Sequence, residues 1–161
     1  MSTTLPALEA MRAVFLAANP NPETDSIVGK VHIYPNEERE IHSSPFPFVV
    51  IREVLNNVNS FNKISHGTHI KVWIMEASVF IRLGNVETAN LARDFDEKHA
   101  PWPSAVLEVI EQQPNLFGNV FKIGQGQTRF QWITGAVNYG VNNPKTFWGI
   151  QFRFPITQVG R

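Results

Sequence analysis

The sequence contains no cysteine, which excludes disulfides, thiolate metal sites and cysteine nucleophiles from the start. It also lacks an excess of charge of either sign, because 14 Lys and Arg balance 14 Asp and Glu over 161 residues. That balance argues against a protein that tracks nucleic-acid phosphates, whose affinity comes from surplus Lys and Arg. Charge of any kind is scarce, 17% of residues, against roughly a quarter in typical soluble domains. With 43% hydrophobic residues, the surface has few charges with which to repel other proteins, a composition that favours a chain meeting a partner. No apolar run approaches the roughly 18 residues needed to cross a membrane. Met1-Ser2-Thr3-Thr4 has no basic region, and Pro6, Glu9 and Arg12 interrupt the stretch from Leu5 to Ala18, so no signal peptide is expected.

What is present reads as one domain over 1–161, long enough to bury roughly 70% of the surface of its unfolded chain. Thr4 can cap and Pro6 can occupy the first turn of a helix in which Leu5, Leu8, Met11, Phe15 and Ala18 share a face, expected to end at Asn19-Pro20. Val31 and Ile33 then alternate with Lys30, His32 and Tyr34 as a short strand. The polar residues 35–44, including Glu37, Glu38, Arg39 and Glu40, read as an exposed loop, and Pro45-Phe46-Pro47 leads into a strand running from Phe48 to Leu55. Residues 56–67 read as a loop between antiparallel strands. The longest strand follows, Ile70 to Arg82, with a bulge expected at Glu76-Ala77-Ser78. Pro101 and Pro103 point to a helix confined to Ser104–Gln112, with Val106, Leu107, Val109 and Ile110 inward. Three β-like segments complete the chain, Asn119–Ile123, Arg129–Tyr139 and Thr146–Thr157. The expected fold class is α/β of the α+β kind, a sheet braced by an N-terminal helix and a second helix.

Candidate chemistry is thin. His66 and His69 form the one close histidine pair, but at the mouth of a strand positions i and i+3 point to opposite faces, so no metal site is expected; His32, His42 and His99 stand alone. Gly124-Gln125-Gly126 lacks a third glycine and precedes a strand, which suits a hairpin turn better than a phosphate cradle. No G-x-S-x-G elbow is present, and Ser43-Ser44 beside His42 reads as a loop coincidence. Arg93, Asp94, Asp96, Glu97 and Lys98 mix their charges in one solvated environment, unsuited to acid–base work and suited to a salt-bridged face. Most of the aromatic mass belongs to a core by strand alternation. Phe46, Trp102 and Phe147, at element ends beside proline or polar residues, are the candidates for anchoring a partner.

The order of elements resembles the bacteriophage tail terminator family, also called tail-to-head joining or minor tail U-like proteins. The resemblance runs from the N-terminal helix through Pro45-Phe46-Pro47-Phe48-Val49-Val50-Ile51, the strand around Ile70–Ile74 and the helix Ser104–Gln112 to the closing strand from Trp148 to Phe154. It implies a small mixed, mostly antiparallel sheet with helices packed on it, and six copies in a ring that caps the completed tail tube and joins it to the head-side connector, in the virion and with no catalytic residue or cofactor. Its partners are then further copies of itself, the tube protein and the neck protein. Residues 56–67 and 85–103 are longer than a minimal member needs. Interface residues expected on this reading are Glu37, Glu38, Arg39, Glu40, Phe46, Arg93, Asp94, Glu97, Trp102 and Phe147. Two other readings fit the same residues: another neck or baseplate adaptor, and a small-ligand or nucleotide-dependent enzyme using the Gly124–Arg129 turn.

Overall fold

A computed structural model of the chain describes residues 4–54, 60–65, 68–83, 98–139 and 145–160. Helix α1, Leu5–Ala18, has a proline in its first turn and buries Ala7, Leu8, Ala10, Met11, Val14, Phe15 and Ala18. It ends where Asn19 turns extended ahead of Pro20, as the residue before a proline is pushed to do. The side chain of Asn19 fixes the turn that follows, donating to the Asp25 carbonyl at 2.8 Å and accepting from the Asn21 amide at 3.0 Å.

Strand β1 is Val31–Ile33, and helix α2, Glu38–His42, follows it. The polar loop expected over 35–44 therefore contains a helical turn. Its cause is Ile41, only 3% exposed, which a turn of helix swings onto Phe48, Val50 and Phe80. Strand β2 covers Phe48–Glu53 and β3 covers Ser60–Ser65, so part of the loop expected over 56–67 is a strand as well. The residues of β3 have little β-propensity; their pairing with Thr68–Val72 of the next strand orders them. Strand β4 runs Thr68–Leu83, helix α3 runs Pro101–Gln112, and strands β5 (Lys122–Ile123), β6 (Gln131–Tyr139) and β7 (Lys145–Gly160) complete the order. Pro101 and Pro103 do not hold the helix back to Ser104. They lie in the first turn, where an amide has no helical partner to lose.

The strands form one mixed sheet, antiparallel except for β1 against β2. At its centre β4 and β7, 16 residues each, pair from His69↔Gly160 to Leu83↔Phe147, a ribbon about 50 Å long at the usual rise per residue. Strands β2 and β3 share the free side of β4, and β5 and β6 share the free side of β7. The irregularity in β4 falls between Phe80 and Arg82, not at Glu76-Ala77-Ser78, where the register is unbroken. Opposite Phe80 stands Gly149, and a Cβ there would lie 2.0 Å from the Val79 carbonyl oxygen. The two backbones approach too closely for any other residue.

Helices α1 and α3 pack on one face. Trp73, Met75, Ala77 and Val79 of β4 alternate toward it, as do Ile150, Phe152, Phe154 and Ile156 of β7. Phe15 of α1 sits 5.9 Å from Trp102 of α3 and 5.5 Å from Phe152, ring centre to ring centre. In α3 the buried stripe is Trp102, Val106 and Ile110, one residue per turn, while Leu107 is 39% exposed and so does not point inward as expected. Trp102 itself is 3% exposed. It is a core residue bridging the helices, not a surface anchor.

Substituting Gly149→Ala should cost more than about 3 kcal/mol, because the added methyl has only backbone to displace. Urea unfolding of the variant measures it.

Candidate functional site

The two outer margins of the sheet are unlike. At one, β1 is three residues long and is followed by α2, where Glu38, Arg39 and Glu40 are exposed. At the other, β6 is nine residues long, Gln131-Trp132-Ile133-Thr134-Gly135-Ala136-Val137-Asn138-Tyr139, without a charge or a proline. Among the described residues β6 pairs only with β7. Gln131, Trp132, Ile133 and Thr134 are all exposed, with Trp132 at 50% and Ile133 at 61%. Edge strands are normally blunted by lysine, proline or brevity so that they do not pair with other chains. This one has none of those protections.

A cleft of about 630 Å³ wraps this edge, lined by Phe130, Gln131, Trp132, Ile133, Gln151 and Arg153. Arg153 belongs to a ladder across three strands, since Arg52 of β2 pairs with Glu76 of β4 and Glu76 with Arg153 of β7. The Glu76 side chain is 3% exposed, and its Oε1 lies 2.9 Å from Arg52 Nη2. Burial of a carboxylate requires such a partner. Its Oε2 accepts no hydrogen bond and stands 3.5 Å from Nη2 of Arg153, whose side chain is 58% exposed. One carboxylate between two guanidiniums leaves a net positive charge, and it falls on the cleft side.

Two more exposed aromatics follow α3, and one of them, Phe121, adjoins the same side of β7. Leu116, Phe117 and Gly118 have φ of 46°, 56° and 88°, a left-handed run that costs on the order of 1–3 kcal/mol for each residue other than glycine. Leu116 is fully buried and pins the run to the core, while Phe117 and Phe121 are 52% and 62% exposed. The Phe121 amide donates to the Thr157 carbonyl at 2.8 Å, so Phe121, Trp132 and Ile133 follow one another along one margin.

Near the opposite margin, His32 of β1 is buried, with Nε2 3.1 Å from Ser44 Oγ and Nδ1 3.8 Å from Glu37 Oε1. The order resembles a Ser–His–carboxylate relay. The carboxylate, however, is beyond hydrogen-bond reach of the ring: its Oε1 accepts the Ile33 amide at 3.2 Å and its Oε2 accepts from Arg12. The imidazolium that proton transfer creates thus lacks its orienting acceptor, and the group acts as a pin holding α1, β1 and residue 44 together. Burial lowers the His32 pKa below its ordinary 6.5; Glu37 and Glu40 pull it up, and Arg12 adds to the lowering.

The sequence candidates distribute unevenly over these features. Glu37, Glu38, Arg39 and Glu40 come together on and before α2. Phe46, 36% exposed, packs at a tilt against Phe48, ring centres 5.4 Å apart, and lines a cavity of about 250 Å³ with Trp102 and Lys98. Arg93, Asp94 and Glu97 lie outside the described residues, as do Asp96 and His66. The backbone of Phe147 pairs with Leu83 and Val137 at the start of the β7 ribbon. Among the described residues no three His, Asp or Glu converge as metal ligands. The Gly124-Gln125-Gly126 segment forms a hairpin turn closed by reciprocal bonds between Gln125 and Thr128 of 2.8 and 3.1 Å. Missed from sequence were Phe117, Phe121, Ile133 and Arg153; of these only Ile133 had a legible sign, the absence of charge and proline throughout its strand.

Compared with known proteins, the sequence matches no family model and no curated protein. No helix among the described residues is long and apolar enough to cross a membrane.

Because the folded pKa of His32 is depressed, its contribution to stability is complete above 6.5 and is lost as pH falls below that value toward the folded pKa. The wild type should lose more stability than His32→Asn between about pH 7 and pH 5 in parallel urea titrations. Ser44→Ala should cost about 1 kcal/mol in the same assay at pH 8, from one lost hydrogen bond.

Proposed function

We propose that this chain is a structural virion subunit of the tail terminator type, which closes into a ring of six, caps the finished tail tube and joins it to the head-side connector. The observation that carries the reading is the long, uncharged, unprotected edge of β6 with half-exposed Trp132 and Ile133. Such an edge is an aggregation hazard in a lone subunit and an asset in one that covers it with a neighbour. A contact that joins the two unlike margins of the sheet is head-to-tail, and head-to-tail contacts either close into rings or run on as filaments. A ring at the end of a tube is the closed case. The element order along the chain supports the same family, and the low content of charge suits a surface that is covered in the assembly. The work of such a subunit is geometric and calls for no catalytic group. Its place is the virion, at the end of the tail that meets the head.

Native mass measurement and electron microscopy of the purified chain, alone and with tail tubes, test this reading. Six-membered rings seated on one tube end are expected; a strict monomer that binds no tube at any concentration overturns it, and labelled copies found at a baseplate instead favour the adaptor reading. Ile133→Lys should abolish ring formation while changing the unfolding free energy by less than about 0.5 kcal/mol, as for an exposed position, which gel filtration and urea unfolding check side by side.

A further inference from the structure

We propose that the cleft on the β6 margin of one copy receives helix α2 of the next copy, with the Glu40 carboxylate meeting the Arg153 guanidinium. This rests on the reading of the chain as a ring subunit and names the contact that builds the ring. The cleft offers Phe130, Trp132 and Ile133 as apolar walls and Arg153 as its charged group. That charge is in surplus, because Arg52 and Arg153 share the single carboxylate of Glu76, and the closer contact, 2.9 Å against 3.5 Å, belongs to Arg52. Strand β6 contains no acidic residue to balance it. A partner filling the cleft must therefore bring a negative charge.

The chain supplies one at the far margin of its own sheet. Glu38, Arg39 and Glu40 carry two carboxylates to one guanidinium, and all three residues are exposed. The strand order places β1, on which α2 packs, at one end and the β7 partners β5 and β6 at the other. Donor and acceptor surfaces thus point away from each other within one subunit. They can be joined only between copies, in a heterologous contact that repeats with the same sense at every step. Opposite charges at such a contact fix which edges meet and discourage β6 from pairing with another β6, where two Arg153 side chains would confront each other.

Charge reversal with complementation tests the contact. Arg153→Glu and Glu40→Arg should each raise the dissociation constant of the assembly at least tenfold, in solution or on the tube, whichever form the wild type takes. An equimolar mixture of the two variants should assemble to within threefold of wild type, because alternating copies bring Glu onto Arg at every contact, and native mass spectra should show equal numbers of each. Should Arg153→Glu fail to fold beside Glu76, a double-mutant cycle of Arg153→Gln and Glu40→Gln replaces it, with the double variant expected to be no weaker than either single one. Variants that each assemble like wild type, a mixture that stays apart, or an additive cycle would overturn the α2 contact while leaving the ring reading standing. Absence of any wild-type assembly, alone or on tubes, removes the ring reading itself.

Discussion

The pairing of β4 with β7 organises everything else in the molecule. Each strand is 16 residues long, and the register holds from His69↔Gly160 to Leu83↔Phe147 with one irregularity. Because side chains alternate along a strand, that single register sends Trp73, Met75, Ala77 and Val79 together with Ile150, Phe152, Phe154 and Ile156 to the helix face. A slip of one residue would turn all of them outward and bring Glu76 into the core. The glycine at 149 permits the close approach on which this register depends.

The ribbon is longer than any one neighbouring strand, so each of its sides is shared, β2 with β3 on one and β5 with β6 on the other. Sharing produces two dissimilar margins. On the β1 side the edge is short, and α2 and the Ile41 cluster cover the outer face. On the β6 side the edge is long and, among the described residues, unpaired, bordered by exposed Phe121, Trp132 and Ile133. The difference in edge protection, more than any side-chain chemistry, gives the sheet a direction.

Electrostatics reinforce that direction. Glu76 is buried in a row where both cross-strand neighbours are arginine, and its desolvation is offset by the pair together. The same arrangement leaves Arg153 loosely held at the cleft. At the other margin Glu37 is consumed internally by Arg12 and the Ile33 amide, which ties α1 to the start of α2 and presents the rest of the acidic helix outward.

Periodicity alone determined the N-terminal helix to its last residue and the existence of β1, β2, β4, β6 and β7, because apolar spacing is a local signal and long strands repeat it many times. It misjudged α3, whose prolines read as breakers although they stand in a first turn that tolerates them. It also passed over α2 and β3, polar segments whose order comes from a distant partner: Ile41 has somewhere to go only once Phe48, Val50 and Phe80 are adjacent. The candidate surface divides in the same way. The acidic run over 37–40 and the uncharged strand 131–139 are visible in the sequence, whereas the surplus charge of Arg153 exists only because folding places one carboxylate between two arginines that lie 101 positions apart, Arg52 and Arg153. Which edges stay open is decided by strand order, and strand order is a property of contacts between residues far apart in the chain.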